Sequence, residues 1–284
     1  MKSKIATIGF FDGVHKGHQF LFEHLCALAA ERGLEPLIVT FESHPRMVLD
    51  SDYVPQLLSS LEERKAQLSR YGEVLVLPFE EIQPLTAAQF MTHLHDKYGV
   101  TTLLMGYDHR FGSDRLKRPQ DYRRAGEQCG VEVVTLSEYT EGEWHVSSTE
   151  IRLALENGNI AVANELLGRP YFLRGKVVHG KGIGRTLGFP TANIEPLDAH
   201  KVIPKHGVYV ALVNTPTRDD APAFVNIDIK GIIEVHIPSF KGDLYDQILN
   251  IRFVRFLREE KRFDSLEGLR EQIKADIDST LRPV

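Results

Sequence analysis

Two imidazoles three residues apart begin the chemistry of this chain. His15 and His18 close the run Gly9-Phe10-Phe11-Asp12-Gly13-Val14-His15-Lys16-Gly17-His18, which follows a short apolar stretch and precedes helical spacing. A helix N-terminus offers free backbone N–H groups and the positive end of a dipole, both suited to phosphate. Gly13 and Gly17 let the backbone approach a ligand closely. On a first turn the two rings share a face. There they could donate hydrogen bonds to phosphate oxygens and stabilise charge as an α-phosphate is attacked and pyrophosphate leaves. A metal site is the rival reading, but no matching cysteine or carboxylate pair stands beside these histidines. A plain helix cap is the bland one. Further on, Gly180, Gly182, Gly184 and Gly188 make a loop able to wrap phosphates. It is not a P-loop, because GxxxxGK[ST] is absent.

The elements that must position these residues fall into two halves. Up to Leu136 the pattern alternates: apolar runs at Ile5–Phe11, Glu35–Phe41, Val74–Phe79, Thr101–Gly106 and Val131–Leu136, with helical spacing at Gln19–Arg32, Glu62–Tyr71, Ala87–Tyr98 and Asp121–Gln128. Such βαβα alternation predicts a parallel sheet with helices on both faces. Ligands then sit beyond the carboxyl ends of the strands, in the loops after Ile8, Thr40, Met105 and Leu136. Two short helices follow, Thr149–Asn157 and Ile160–Leu167, and Gly168-Arg169-Pro170 marks a boundary, giving units 1–168 and 169–284. The second half reads as short strands between turns, at Tyr171–His179, Gly207–Asn214, Ala223–Ile229, Ile232–Ile237 and Ile248–Phe256. That predicts an antiparallel barrel or sandwich. One helix, Ser265–Ile277, aligns Leu266, Leu269, Ile273 and Ile277 on one face.

Composition narrows the classes. The chain has 284 residues, enough for two cores. With 42% hydrophobic and 26% charged residues it reads as ordinary globular protein. A net charge of −5 argues against a general nucleic-acid binder, while leaving small anionic substrates open. Cys26 and Cys129 share no metal spacing and read as buried, reduced thiols. No secretory pattern or membrane-length apolar run is seen, so a cytoplasmic location is expected.

The first run is similar to the HxGH signature of nucleotidyltransferases, in the FDGVHxGH form of FAD synthetases. Val146-Ser147-Ser148-Thr149-Glu150-Ile151-Arg152 resembles that family's distal SSTxIR motif. Hydroxyls at a second helix N-terminus, with Arg152 three residues beyond Thr149, can grip the β- and γ-phosphates. Thr40-Phe41-Glu42-Ser43-His44-Pro45-Arg46 resembles TFxPHP, and Gly106-Tyr107-Asp108-His109-Arg110-Phe111-Gly112 resembles GxDFRFG. The resemblance implies ATP and phosphate contacts at Gly9, Phe11, Asp12, Gly17, Ser147, Ser148, Thr149 and Arg152, with His15 and His18 catalytic. It implies nucleotide or flavin contacts at His44, Asp108 and Arg110. Phe10 stands where Asn is common, Ser43 where Pro is, and His109 where Phe is.

Gly175 to Asn193, ending in Pro190-Thr191-Ala192-Asn193, resembles the ATP-binding signature of riboflavin kinases. The resemblance implies ATP contacts at Gly180, Gly182, Gly184, Arg185, Gly188 and Pro190, and Mg²⁺ on Thr191 and Asn193, whose hard oxygens suit that ion. Glu234-Val235-His236-Ile237-Pro238-Ser239-Phe240 is similar to the family's ExHxxxF strand. Glu234 is thereby the expected general base, and Arg258 a flavin contact. The implied architecture is a Rossmann-like nucleotidyltransferase domain followed by a Greek-key β-barrel with a C-terminal helix. The implied activity is bifunctional: riboflavin and ATP give FMN, then FMN and ATP give FAD and pyrophosphate. Small-molecule substrates are the expected partners, with no nucleic acid and no membrane. One departure stands against this. Asn226-Ile227-Asp228-Ile229-Lys230-Gly231-Ile232-Ile233 runs straight into Glu234, lacking the family's RPT element and longer hairpin. The alternative is therefore an FMN adenylyltransferase whose kinase-like half is weakened or inactive.

Overall fold

The computed structural model describes all residues except 1, 107–108, 138–139, 142–143, 181–183, 185–187, 239, 262, 264 and 282–284. The described chain divides into two compact units, Met1–Ser148 and Thr149–Val284.

In the first unit, β1 (Lys4–Ile8), β2 (Glu35–Phe41), β3 (Glu73–Leu77), β4 (Val100–Met105) and β5 (Glu132–Thr135) form a parallel sheet in the order β3-β2-β1-β4-β5. The period-2 alternation of β1 sends Ala6 and Ile8 to one core and Ile5 to the other. Helix α1 (Lys16–Arg32) covers one face with Leu21, Phe22, Leu25 and Ala29. Helices α5 (Ala87–Tyr98) and α6 (Pro119–Gln128) cover the other with Phe90, Met91, Leu94 and Tyr122. Short helices α2 (Pro45–Leu49), α3 (Leu61–Leu68) and α4 (Phe79–Ile82) fill the loops. The sequence pattern did not show α2 and α4, which are too short to display a helical period. Capping boxes start α3 at Ser60 and α5 at Thr86, each worth about 1 kcal/mol. The strand order reverses between β1 and β4, and that is where this class of sheet opens a crevice. A two-stranded ladder, β6 (Thr140–Glu141) with β7 (Trp144–His145), is also present.

In the second unit, α7 (Ser148–Glu156) and α8 (Ile160–Leu167) lead into the barrel. Its described strands are β8 (Tyr171–Val178), β9 (Thr191–Pro196), β10 (Gly207–Thr215), β11 (Arg218–Ile227), β12 (Ile233–His236) and β13 (Ile248–Arg258). They close antiparallel in the order β10-β11-β12-β9-β8-β13. Asn164 of α8 donates to Phe253 O and accepts from Tyr171 N, tying that helix to the barrel. Strand β9 was not foreseen, because its residues were read as part of the glycine-rich signature and Pro190 and Pro196 bracket it. Helix α9 (Leu266–Leu281) closes the chain. The cysteines are half-buried rather than fully enclosed. The Cys26 thiol donates to Tyr71 O, and burial, then Glu23, raises its pKa.

Candidate active sites

The loop after β1 is strained. Phe11 (φ 54), Gly13 (φ 76) and Val14 (φ 44) all lie in the left-handed region. A β-branched valine there is a genuine outlier, costing about 1–3 kcal/mol. The surroundings over-determine it. The buried Asp12 carboxylate accepts from Leu58 N, Ser59 N and Ser59 Oγ, and Gly13 N donates to Ser59 Oγ at 3.0 Å. Asp12 therefore spends its charge on holding the loop. Sequence reasoning missed Ser59, since nothing local marks it.

This loop sets the imidazoles. His15 precedes α1 as its N-cap residue yet makes no side-chain cap bond, so the plain capping reading does not describe its ring. The His15 and His18 rings stack with centroids 3.6 Å apart, and the Phe11 ring meets His18 edge-on at 5.2 Å. A Cβ on Gly17 would sit 3.3 Å from the His15 ring and 3.6 Å from Val146 O, and one on Gly9 would sit 2.7 Å from the Phe11 ring. Both glycines therefore permit the close approach. Burial first, then His15 and His109, push the His18 pKa well below the ordinary imidazole value. Its Nδ1 has no hydrogen-bond partner among the described residues.

The distal hydroxyl motif meets this loop. Ser148 Oγ donates to Asp12 O at 3.0 Å across 136 residues of sequence. Ser147 is half-buried beside it in sequence, Thr149 is exposed, and Arg152 lies one turn further along α7.

Beyond the carboxyl ends of β1 to β4 lies a cavity of about 420 Å³. One side is apolar, with Ile8, Phe41, Phe79 and Phe90, while His109, Arg110 and Arg115 bring imidazole and cationic groups. His44 packs edge-on to Phe10, which also lines the cavity, and its Nδ1 accepts from Arg46 N. Arg64, almost fully buried, lies over the Phe10 ring with its guanidinium carbon 4.1 Å from the ring centroid, and donates to Phe41 O. Its burial could not be read from an ordinary charged helix pattern. Asp108 lies outside the described residues.

In the barrel, β12 pairs Glu234 with Asn193 of β9 and with Asn226 of β11, and pairs His236 with Thr191. Ile233 and Val235 alternate into the core. Glu234 and Thr191 line a cavity of about 340 Å³, together with Asn226, His236, Arg258 and Asp276. Thr191 also lines a second cavity of about 230 Å³ with Pro190, Ala192, Asp243 and Tyr245. Burial, then the Asp228 charge, raises the Glu234 pKa above the ordinary carboxylate value.

The glycines have a concrete use here. A Cβ on Gly180 would fall 2.0 Å from Asn193 Nδ2, and one on Gly184 would fall 2.4 Å from Phe189 O and 3.0 Å from Thr191 Oγ1. Gly188 holds φ 84. Gly182 and Arg185 lie outside the described residues. The short hairpin closes on a tight, hydrogen-bonded turn. Asp228 Oδ1 accepts from Lys230 N and Ile232 N, and Ile227 pairs with Ile233, so Glu234 keeps its register. Arg258 donates through Nη2 and Nε to Asp276 at 2.8 and 3.0 Å. Sequence reasoning missed Asp276. An acid three residues beyond Ile273, on the inward side of an amphipathic helix, was the available signal.

Imidazoles at a strand-to-helix turn and a carboxylate on a barrel wall beside glycine-cradled oxygens are groups suited to transfer chemistry on nucleotide phosphates. The FAD synthetase family model matches residues 1–150 and the riboflavin kinase model residues 167–283, the latter running through the shortened hairpin. The chain is 37% identical to the bifunctional riboflavin kinase/FMN adenylyltransferase of Pseudomonas fluorescens, covering 96% of this chain and 90% of that one. It is 36% identical to the Escherichia coli protein of the same name, with the same coverage, and 33% to that of Bacillus subtilis, covering 98% and 92%. A crystal structure of a Streptococcus pneumoniae chain described as a macrolide-efflux protein superposes with a TM-score of 0.90 at 31% identity, over 100% of this chain and 95% of that one. Among the described residues no helix is long and apolar enough to cross a membrane. The chain belongs to the bifunctional riboflavin kinase/FMN adenylyltransferase family, and both of the family's reactions are transfers from ATP.

Proposed function

We propose that residues 1–168 adenylate FMN to FAD with release of pyrophosphate, that residues 169–284 phosphorylate riboflavin to FMN, and that the roles divide as follows. In the first reaction, Gly9, Phe11, Asp12 and Gly17 shape the loop that receives the ATP phosphates. His15 and His18 donate to the α-phosphate and to the departing pyrophosphate. Ser147, Ser148, Thr149 and Arg152 hold the β- and γ-phosphates. The observation that supports this reading is the Ser148–Asp12 hydrogen bond, which brings one hydroxyl of the distal motif to the loop that leads into His15 and His18. The cavity with an apolar side and Arg110 suits a flavin phosphate, and His44 and Asp108 are assigned to nucleotide or flavin binding there. FMN offers an ionised phosphate as nucleophile, so no base is needed.

In the second reaction the nucleophile is a ribityl hydroxyl, which must lose a proton. Glu234 takes it. Gly180, Gly182, Gly184, Arg185, Gly188 and Pro190 bind ATP, and Arg258 bounds the flavin. Thr191, which lines both cavities, stands where donor phosphate and acceptor meet. Thr191 and Asn193 would hold Mg²⁺. Two neutral side-chain oxygens form too small a set to bind it alone and fit an ion shared with substrate phosphates. The ion, when bound, neutralises phosphate charge in the transfer. The net charge of −5 and the unpaired cysteines fit work on small molecules, not nucleic acid, in a reducing cytoplasm.

The deciding experiment incubates the chain with riboflavin, ATP and Mg²⁺ and separates the flavins. FMN and FAD should both form, and FMN supplied directly should give FAD. FAD from FMN with none from riboflavin would leave only the adenylyl transfer standing.

A further inference from the structure

The riboflavin cavity of the barrel is walled in part by a buried ion pair. Arg258 ends β13 and Asp276 lies on α9, and their side chains are 16% and 10% exposed. Nε and Nη2 of Arg258 donate to the Asp276 carboxylate at 3.0 and 2.8 Å. Nη1 donates to Glu259 O at 3.1 Å, and Gln272 Nε2, one turn earlier on α9, donates to Asp276 Oδ1 at 2.9 Å. Both members of the pair line the same cavity as Glu234, while the other α9 residues there are the apolar Leu269 and Ile273.

Stability gives a poor reason for this arrangement. Desolvating two charges costs about as much as their attraction returns, and an apolar pair of similar volume often stabilises a protein as well or better. What the fork of hydrogen bonds does supply is a fixed orientation for a planar guanidinium.

We propose that Asp276 is a positioning residue of the riboflavin-phosphorylating reaction. It holds the Arg258 guanidinium in the cavity wall, and holds α9 over the cavity, so that a flat, polar-edged flavin meets a preformed surface while Glu234 reaches its hydroxyl. This rests on the barrel being the kinase. That reading fails separately if the unaltered chain makes no FMN from riboflavin, or if Glu234→Gln makes it at an undiminished rate, and either result overturns the proposal too.

The test uses the full chain and reads riboflavin KM, kcat, FAD formation from FMN, and thermal midpoint. Asp276→Asn keeps size and an acceptor oxygen but removes the charge. Riboflavin KM should rise about tenfold or more, as expected for loss of a charged hydrogen bond. The kcat should change far less, and FAD formation from FMN should hold. The paired substitution Arg258→Met with Asp276→Leu should retain the thermal midpoint and still show the raised KM. A pair that is only structural predicts that this double variant recovers both. That recovery, or an unchanged KM in Asp276→Asn, overturns the proposal.

Discussion

Both reactions of the family take ATP as donor, but the two units carry opposite kinds of candidate group. The parallel-sheet unit places imidazoles at a helix N-terminus, and the barrel places a carboxylate on a strand. In both, burial is the largest influence on the key side chain, and in both it favours the neutral form: His18 is pushed down and Glu234 up. The consequences differ. A neutral imidazole still carries an N–H and can donate to a phosphate. A neutral carboxyl group can no longer accept a proton. The difference follows from the nucleophiles. The phosphate of FMN arrives ionised and the hydroxyl of riboflavin does not, so on the proposed roles only the barrel needs a base, and only the barrel must keep one ionised in a sheltered place.

The sharpest way to break this comparison is Glu234→Gln. It keeps the side chain's size and removes the base, so FMN formation from riboflavin should fall by about 10²–10⁴-fold. FAD formation from supplied FMN should be unchanged in the same preparation. His18→Ala is the converse. Removing a donor aimed at developing charge should slow FAD formation by about 10²–10³-fold, with riboflavin phosphorylation intact. If either substitution harms both reactions equally, the separation into a base-dependent and a base-free site is wrong. Ser148→Ala sits lower on the scale. Its hydroxyl bonds Asp12 O inside a loop already held by Leu58 and Ser59. About 1 kcal/mol, or several-fold in FAD formation, is expected, read as a change in KM for ATP.

Much of this was legible in the sequence, for identifiable reasons. The sheet showed itself because β1, β2 and β4 are apolar runs separated by helical periods, and the crevice followed from their order. The HxGH run stood out because it sits between glycines, after an apolar run and before helical spacing. The partners that fix those residues were not legible. Ser59 reaches Asp12 from 47 positions away, Arg64 is an ordinary helix charge until Phe10 covers it, and the partner of Asp276 is unknown until α9 is laid on the barrel, although its place on the apolar side of that helix marks it. The shortened hairpin was legible as a loss, but the sequence did not show that β11 and β12 still pair from Ile227–Ile233 to Phe224–His236, with Glu234 inside that ladder.

The same trimmed turn supplies the smallest test of the comparison. Asp228 is the second cause, after burial, of the raised Glu234 pKa, and its Oδ1 also accepts from Lys230 N and Ile232 N. Asp228→Asn keeps an acceptor oxygen for the turn and removes the charge. In its proposed role as base Glu234 acts only when ionised, so the kinase rate should fall as pH drops through its pKa, with that acid limb above the ordinary carboxylate range. Without the neighbouring charge the ionised form is easier to reach. The limb should therefore move to lower pH, yet stay above the ordinary range because burial remains. Below the limb the variant should outpace the unaltered chain. At neutral pH it should match it or run slightly slower, as befits a weaker base. A pH–rate profile for riboflavin phosphorylation reads this directly, with FAD formation from FMN as the internal control that must not move. A limb that stays in place would mean that burial alone sets the base, and one that moves to higher pH would mean that Glu234 is not the group being titrated.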